Sequence, residues 1–316
     1  MKITNILITG KIYKELEEIM EREGYEELRG KQLRFRAEGE VTEDDLEWSE
    51  AFVSFRPTPN FYFGKNLKWV HSLGAGVDRY MSLGIWKQGI PLTRTVCSFG
   101  ERISEYSLSY VLRDLQFHET FAQHQAVKQW NEFTPIPLKE IRLIVFGTGE
   151  IGHEVARAFS SFGVKVYGVS LSGKQKSHFE KVIGRENLSR DFLQGADYII
   201  NTLPLTSYTD KLFGEEFFNE LKNAVFINCG RGASVDHSAL RKALDNGNLK
   251  SAVLDVFEVE PLPTTDPLWD NPKVTITPHI SAVTTPEEAV ACFVDTLSNI
   301  EGNRELENEV DLTKEF

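Results

Sequence analysis

The feature that most restricts the fold of this chain lies near its middle, where an apolar run leads directly into a glycine-rich turn. Arg142–Phe146 has the composition of a buried strand, glycines follow with the spacing GxGxxG, and a helical pattern starts at Glu150. Strand, motif and helix in this order are typical of a Rossmann unit, in which the glycines permit a tight turn, a close approach to a pyrophosphate and close helix–strand packing. A helix start also favours an anion. The motif therefore predicts dinucleotide binding by Gly147, Gly149, Glu150, Ile151 and Gly152.

Strand-like and helical segments alternate on both sides of this motif. The helical segment Lys11–Glu23 and short apolar runs occupy the first third of the chain, and a last helix is predicted from Pro286 to about residue 300. After the motif, the predicted strands are Lys165–Ser170, Tyr198–Leu203, Ala224–Asn228, Ala252–Val256 and Val274–Thr277. Regular alternation of this kind indicates a doubly wound parallel sheet with helices on its faces.

The position of the motif predicts the domain organisation. The glycines begin only at Gly147, and the final helix follows the last strand of the alternating pattern. We therefore expect a cofactor domain over residues 99–286, inserted into a discontinuous substrate domain formed by residues 1–98 and 287–316. One long helix, Glu101–Trp130, is expected to begin the cofactor domain, because this segment has a helical period and contains neither glycine nor proline.

Composition limits the classes of function. A length of 316 residues favours two domains, and 41% hydrophobic with 26% charged residues suit packed cores rather than a disordered chain. The formal net charge of −12 argues against a surface for nucleic acid or an anionic membrane. The three cysteines form no CxxC pair, no histidines have metal-ligand spacing, and no apolar run reaches membrane-spanning length. We therefore expect reduced thiols, no metal site and a cytoplasmic location without a signal peptide.

The end of the second predicted strand bears on the choice of cofactor. An acidic residue about 20 positions after the glycines binds the ribose hydroxyl of NAD, but Ser170 stands 18 positions after Gly152 and the next carboxylate is Glu180. Two hydroxyls, on Ser170 and Ser172, and two ammonium groups, on Lys174 and Lys176, suit the 2′-phosphate of NADP, and Ser170, Ser172 and Lys174 are the residues predicted to bind it. We therefore predict NADP in preference to NAD, with an ordinary solvated loop as the alternative interpretation.

Three later segments follow predicted strands and carry side chains suited to catalysis: Asn228–Gly232 with Arg231, Asp255–Pro261 with Glu260, and Thr277–Ser281 with His279. In these segments the chain resembles the D-isomer-specific 2-hydroxyacid dehydrogenase family, and the resemblance extends over essentially the whole chain. The arginine, glutamate and histidine match that family's catalytic residues in the same order. Leu73–Asp78 is similar to the family's glycine-rich substrate loop. Together with Glu101–Tyr106, this loop most resembles the glyoxylate/hydroxypyruvate reductase branch.

The resemblance implies the reduction of a small 2-keto acid to a D-2-hydroxy acid by hydride from a nicotinamide cofactor. The carbonyl oxygen must gain a proton, and a histidine titrates near neutral pH, so His279 is the expected general acid. Glu260 beside it would favour the imidazolium form. Arg231 offers a planar, permanently charged fork for the substrate carboxylate, and the backbone amides of Ala75 and Gly76 would hold the other end of that carboxylate.

The resemblance also implies further cofactor contacts, the fold and the assembly. Asn201–Thr206 is similar to the family's cofactor-side loop. The residues expected to contact the cofactor there are Leu203, Pro204, Thr206, Cys229 and, at the nicotinamide carboxamide, Asp255. The implied fold has two Rossmann-like doubly wound parallel-sheet domains, the cofactor domain being inserted into a smaller flavodoxin-like substrate domain. A homodimer acting on a small-molecule substrate is expected.

Three other functions on the same fold are alternatives to this expectation. Formate dehydrogenases pair the histidine with glutamine, so Glu260 argues against that activity. A short form of phosphoglycerate dehydrogenase stays open, since about 30 residues follow Pro286 where longer enzymes add a regulatory domain. A dinucleotide-sensing binding protein also stays open, because such proteins can retain the three catalytic residues.

One departure from the glyoxylate/hydroxypyruvate reductase branch bears on the cofactor. The branch often carries arginines in the loop after the second strand, where this chain has Leu171 and Gly173.

Overall fold

The computed structural model describes residues 1–84 and 86–314, which divide into two compact units. One unit combines Met1–Cys97 with Thr284–Phe316, and the other is the continuous segment Ser98–Val283. The predicted boundaries, after residues 98 and 286, fall one and three residues beyond these divisions. That the discontinuous unit binds the substrate stays a prediction.

The discontinuous unit is built on one parallel sheet. Its strands are β1 (Asn5–Thr9), β2 (Gln32–Arg36), β3 (Ala51–Ser54), β4 (Trp69–Ser72) and β5 (Leu92–Arg94). They lie in the order β2-β1-β3-β4-β5 with all neighbours parallel, which is the flavodoxin-like order. The helices that precede the second unit are α1 (Tyr13–Glu23), α2 (Glu43–Trp48) and α3 (Asp78–Met81).

The continuous unit contains a larger parallel sheet. Its helices are α4 (Phe99–Leu115), α5 (His118–Ala126), α6 (Glu150–Ser161), α7 (Arg190–Leu193), α8 (Glu215–Asn219) and α9 (His237–Asn246). Its strands are β6 (Arg142–Phe146), β7 (Lys165–Ser170), β8 (Lys181–Gly184), β9 (Tyr198–Asn201), β10 (Ala224–Asn228), β11 (Leu249–Leu254) and β12 (Val274–Ile276). The order β12-β11-β10-β9-β6-β7-β8 is that of a Rossmann sheet with one strand added. The predicted fold class is therefore confirmed, although β8 was not predicted.

The last helix of the chain explains why the first unit is discontinuous. α10 (Pro286–Glu301) begins with a capping box between Thr285 and Glu288. Its buried side chains belong to the same apolar cluster as those of α1 and the first sheet, and Phe293 stacks on Trp69 with ring centroids 5.5 Å apart. One face of that sheet is therefore fully covered only when the chain returns from the second unit.

The prediction of one continuous helix over Glu101–Trp130 is wrong. The segment forms α4 and α5, which are separated at Phe117, a residue with a left-handed φ of 56°. The two helices have different partners, which is the physical reason for the break. α4 buries Ile103 in the same apolar cluster as α6, whereas α5 has no buried residue. The rings of Phe117 and Phe121 instead pack with Phe133 of the segment that returns after α5.

The carboxyl ends of the strands in the second sheet carry the predicted catalytic and cofactor-binding segments. Gly147 follows β6, Ser170 ends β7, and the loops with Leu203, Arg231 and His279 follow β9, β10 and β12. In an open parallel sheet, ligands bind at this edge next to the point where the strand order reverses, here between β6 and β9. Within residues 1–84 and 86–314, no helix is long and apolar enough to cross a membrane.

Candidate active site

The glycine-rich loop connects β6 to α6 through backbone geometry that requires glycine. Gly147 has a φ of 95°, and a Cβ on Gly152 would lie only 1.8 Å from the carbonyl oxygen of Gly147. A Cβ on Gly149, by contrast, would have no atom within 4 Å, so open space lies beside this residue. Gly149 also caps α6 without a side chain, so the first amide groups of the helix need another acceptor. The loop therefore fits the pyrophosphate of a dinucleotide.

The loop after β7 is a tight turn that contains the residues predicted to bind a 2′-phosphate. Ser170 Oγ accepts a hydrogen bond from the Gly173 amide at 3.1 Å, and the φ of Gly173 is 64°. Ser172 and Lys174 are exposed on the same turn. The structure thus brings the three residues together, and their contact with a phosphate stays a prediction.

The contacts of two charged groups near this turn were not predicted from the sequence. Lys176 Nζ donates to the carbonyl oxygen of Thr148, inside the glycine-rich loop, at 2.6 Å. On another side of the turn, a Cβ on Gly173 would lie 2.5 Å from the amide nitrogen of Gly184, and the Glu186 carboxylate covers the Cα of Gly184. Neither contact has a local signal in the sequence, because both join residues of different strand–loop segments.

Two buried asparagines, at the ends of β9 and β10, hold two of the predicted loops in place. Asn201 Nδ2 donates to Asn228 Oδ1 at 2.8 Å, and Asn201 Oδ1 accepts from the Leu203 amide at 3.0 Å. Asn228 Oδ1 also accepts from the Gly230 amide, and its Nδ2 donates to the Arg231 carbonyl, both at 3.1 Å. The pair therefore sets the path of both the cofactor-side loop and the arginine loop, a role that the sequence analysis missed.

Hydrogen bonds and burial hold the other residues predicted in these loops in place. Thr209 Oγ1 donates to the Pro204 carbonyl at 2.6 Å and accepts from the Thr206 amide at 2.8 Å, which closes the cofactor-side loop. Cys229 is buried, and burial, together with the nearby Asp255 carboxylate, raises the pKa of its thiol to about 12. The thiol is therefore protonated at neutral pH, a form in which cysteine is a poor nucleophile.

The arginine loop lies directly against the loop that carries Glu260. A Cβ on Gly232 would lie 1.9 Å from the carbonyl carbon of Phe257, so only glycine permits this approach of two backbones. Arg231 Nη1 donates to the Gly230 carbonyl at 2.8 Å, which orients the guanidinium. The structure therefore places the predicted arginine beside the predicted glutamate.

His279 and Glu260 form a hydrogen-bonded pair. His279 Nδ1 lies 2.8 Å from Glu260 Oε2, while Glu260 Oε1 accepts from the Phe257 amide at 2.9 Å. Partial burial alone would raise the pKa of Glu260, but these two hydrogen bonds and the charges of His279 and Arg231 outweigh it, so that the pKa is lowered. The carboxylate is therefore ionised throughout the neutral range.

The loop that carries His279 is tied to the buried carboxylate of Asp255. The amides of Ile280 and Ser281 each donate to this carboxylate at 2.8 Å, and the Thr277 hydroxyl donates to it at 2.5 Å. Tyr106 of α4 extends this network, because its hydroxyl lies 2.6 Å from Thr277 Oγ1. Asp255 therefore positions the histidine loop, and its predicted contact with a nicotinamide carboxamide stays a prediction.

The residues predicted to hold the substrate carboxylate from its other end, Ala75 and Gly76, lie in the discontinuous unit. They belong to the loop after β4, and both are partly exposed. Ser72 Oγ lies 3.3 Å from the Gly76 carbonyl oxygen, and Arg94 Nη1 donates to the Ala75 carbonyl at 3.3 Å. Side chains thus fix the carbonyl groups of this loop, and the contact of its amides with substrate stays a prediction.

The glycine-rich loop suited to a dinucleotide and the His279–Glu260 pair lie at the same edge of the sheet. Together they suit the reduction of a carbonyl group, which requires a hydride and a proton. The fold and the site define an NAD(P)-dependent dehydrogenase.

Comparison with known proteins then narrows this class. The model of the family described as D-isomer specific 2-hydroxyacid dehydrogenase, NAD binding domain, matches residues 108–281. A glyoxylate/hydroxypyruvate reductase A from Salmonella heidelberg is 34% identical over 272 residues, which are 83% of this chain and 86% of that protein. The chain belongs to the D-isomer-specific 2-hydroxyacid dehydrogenase family and to its glyoxylate/hydroxypyruvate reductase branch, as predicted.

Two solved structures share the fold over almost their whole lengths. A D-isomer specific 2-hydroxyacid dehydrogenase from Xanthobacter autotrophicus Py2, in complex with NADPH and MES, has a TM-score of 0.89 and 30% identity, covering 100% of both chains. An NADPH-dependent glyoxylate/hydroxypyruvate reductase from Sinorhizobium meliloti, in complex with NADP and sulfate, has a TM-score of 0.87 and 28% identity, covering 99% of this chain and 100% of that chain. The prediction of NADP or NAD as cofactor is therefore confirmed.

Proposed function

We propose that this chain reduces glyoxylate, hydroxypyruvate or a 2-keto acid of similar size to the D-2-hydroxy acid, with NADPH as the preferred hydride donor and His279 as the general acid. The observation that carries this proposal is the 2.8 Å contact between His279 Nδ1 and Glu260 Oε2. Because the pKa of Glu260 is lowered, its carboxylate is ionised and can only accept a hydrogen bond. The shared proton therefore belongs to Nδ1, and Nε2 is the ring nitrogen left for the substrate.

Each catalytic residue has a separate task in this reaction. The bound nicotinamide supplies a hydride to the carbonyl carbon. Arg231 holds the substrate carboxylate by charge-assisted hydrogen bonds, and His279 donates a proton from Nε2 to the carbonyl oxygen. Glu260 stabilises the imidazolium before this transfer and still accepts the hydrogen bond from Nδ1–H afterwards, so that the ring keeps its orientation and tautomer. In the oxidative direction, Nε2 accepts the proton.

The loop after β7 supports a preference for NADPH. Ser170 stands where an NAD-specific carboxylate would repel a phosphate dianion, and the hydroxyls of Ser170 and Ser172 can donate to phosphate oxygens. Leu171 and Gly173 supply no arginine fork, and the Glu186 carboxylate lies near the turn. The preference should therefore be modest, on the order of ten- to a hundredfold in kcat/KM, as expected for one or two charge-assisted hydrogen bonds.

Replacement of Ser170 by aspartate tests the cofactor preference. Ser170→Asp should lower kcat/KM with NADPH and raise it with NADH, because the new carboxylate repels the phosphate and accepts from the ribose hydroxyls. Ser161→Asp adds the same charge at the far end of α6 and serves as the control. A wild-type enzyme that uses NADH as well as or better than NADPH would contradict the proposed preference.

The activity itself is tested with purified protein, both cofactors and a panel of keto acids. Steady oxidation of NADPH with glyoxylate or hydroxypyruvate supports the proposal. A clear preference for 3-phosphohydroxypyruvate would identify the short form of phosphoglycerate dehydrogenase instead. Tight cofactor binding without turnover of any keto acid would identify a dinucleotide-sensing protein.

We also propose that the chain forms a homodimer and acts in the cytoplasm. Support for the dimer comes from residues 118–136, where Val127, Trp130 and Phe133 expose large apolar side chains, Trp130 to 91%. Such clusters on a soluble protein mark interaction surfaces. Support for a reducing compartment comes from the small, odd number of cysteines, Cys97, Cys229 and Cys292.

A further inference from the structure

The loop between β7 and β8 holds the ammonium group of a second lysine, Lys176, in addition to that of Lys174. Lys176 Nζ lies 2.6 Å from the carbonyl oxygen of Thr148, which stands between the first two glycines of the dinucleotide loop. Thr148 is buried, and its Cγ2 would lie 2.7 Å from a Cβ on Gly168 of β7. The ammonium therefore lies where the glycine-rich loop meets β7, two residues before that strand ends at Ser170.

Other contacts of the same loop hold Lys176 in this place. Ser177 Oγ lies 2.9 Å from His153 Nε2 on the first turn of α6. On the other side of Lys176, Gln175 Oε1 accepts from the Val182 amide at 2.9 Å. The loop is thus anchored on both sides of the lysine, which lowers the entropy cost of using its charge for binding.

Lys174 and Lys176 are both exposed residues, but of these two lysines only Lys176 has a side-chain hydrogen bond within residues 1–84 and 86–314. A lysine ammonium has three N–H donors. One is used on Thr148, which leaves two for phosphate oxygens.

We propose that Lys176 is a specificity-determining residue whose ammonium binds the 2′-phosphate of NADP. This inference rests on the proposed preference for NADPH. In a Rossmann unit the adenosine ribose is recognised at the end of the second strand. Lys176 places a positive charge near that strand end, although it stands in the sequence after the turn of Ser170, Ser172 and Lys174. The lysine thus takes the place of the arginine side chains that positions 171 and 173 do not supply.

The alternative role of Lys176 is purely structural, as a brace for the glycine-rich loop. The two roles differ in their consequences. A brace supports the binding of every dinucleotide equally, whereas a phosphate ligand affects only molecules with a 2′-phosphate.

The test uses the full chain and two probes that differ only in that group, adenosine 2′,5′-bisphosphate and adenosine 5′-monophosphate. Their dissociation constants are measured by calorimetry for the wild type, Lys176→Met and Lys165→Met. Lys165 is an exposed lysine at the amino end of β7, so its replacement removes the same charge from the opposite edge of the sheet.

We expect Lys176→Met to weaken the bisphosphate by about ten- to a hundredfold, with a much smaller effect on the monophosphate, because a charge-assisted contact is lost. The salt dependence of bisphosphate binding should also decrease. Lys165→Met should retain the wild-type discrimination. The ratio of kcat/KM for NADPH over NADH should follow the binding data.

Equal weakening of both probes in Lys176→Met would overturn the proposal in favour of a brace, and so would unchanged binding of the bisphosphate. If Lys176→Met folds poorly, Lys176→Arg serves as a second variant: it keeps the positive charge and should still bind the bisphosphate more tightly than the monophosphate. A wild-type chain that does not distinguish the two probes would contradict the proposed NADPH preference itself. Wild-type discrimination that survives Lys176→Met would contradict only the role of the lysine.

Discussion

His279 and Arg231 perform different parts of the proposed reaction, so their removal should affect different kinetic constants. His279→Ala removes the proton donor, and we expect kcat to fall by about 100-fold or more. Arg231→Ala removes the charged contact with the substrate carboxylate and should raise the KM of the keto acid by roughly ten- to a hundredfold. Steady-state kinetics separate the two effects, and cofactor titration by fluorescence verifies that each variant is folded. If both variants changed kcat and KM by the same factors, the result would argue against separate roles for the two residues.

Glu260 should control the pH range in which His279 is active as an acid. The pKa of Glu260 is lowered, so its negative charge is present across the neutral range and favours the imidazolium. Glu260→Gln keeps the shape but removes the negative charge that stabilises the imidazolium. The alkaline limb of the kcat profile for keto-acid reduction should therefore move to lower pH. A profile that keeps its wild-type position would show that Glu260 does not act on His279.

At the scale of elements, the loop after β12 depends on α4 through Tyr106. Burial holds the pKa of the Tyr106 hydroxyl well above its usual range, so the hydroxyl stays protonated. Because the single proton of the Thr277 hydroxyl goes to Asp255, Tyr106 donates to Thr277 Oγ1. The Asp255 carboxylate also accepts hydrogen bonds from the backbone amides of Ile280 and Ser281. A side chain of α4 thus helps to hold the loop that carries His279, the proposed general acid.

Tyr106→Phe should lower kcat by roughly fivefold, as expected from the loss of one hydrogen bond of about 1 kcal/mol, while cofactor affinity changes little. Tyr110→Phe is a matched control, because its ring packs 4.8 Å from that of Tyr106 on the same helix. A merely structural role of Tyr106 would lower the melting temperature without a change in kcat. That result would contradict its function as a positioning residue.

At the scale of the whole molecule, the exposed apolar side chains of residues 118–136 predict self-association. Light scattering should give the mass of two chains, and Trp130→Ser should shift the equilibrium towards one chain, because Trp130 presents 91% of its surface. Phe162→Ser removes another exposed aromatic ring, at the end of α6, and should leave the mass unchanged. A wild-type mass of one chain at every concentration would contradict the dimer.

Local patterns were sufficient for the elements around the dinucleotide loop. The strands Arg142–Phe146, Lys165–Ser170 and Ala224–Asn228 were predicted with the bounds that the structure has. Such runs are apolar, β-branched and bounded by glycine or polar residues, and these signals act between neighbours in the chain. The break at Phe117 had no such signal, because it depends on which distant surfaces α4 and α5 contact.

The sequence by itself determined the class of fold and the family, and it singled out the arginine, glutamate and histidine as candidate catalytic residues, since motif spacing and residue chemistry are local properties. Only the tertiary structure decided which side chains support them. The Asn201–Asn228 pair, the Asp255–Thr277–Tyr106 network and the Lys176–Thr148 contact each join residues that lie far apart in the chain. Hydrogen bonds of this kind depend on the order of strands in the sheet, and no pattern of neighbouring residues encodes that order.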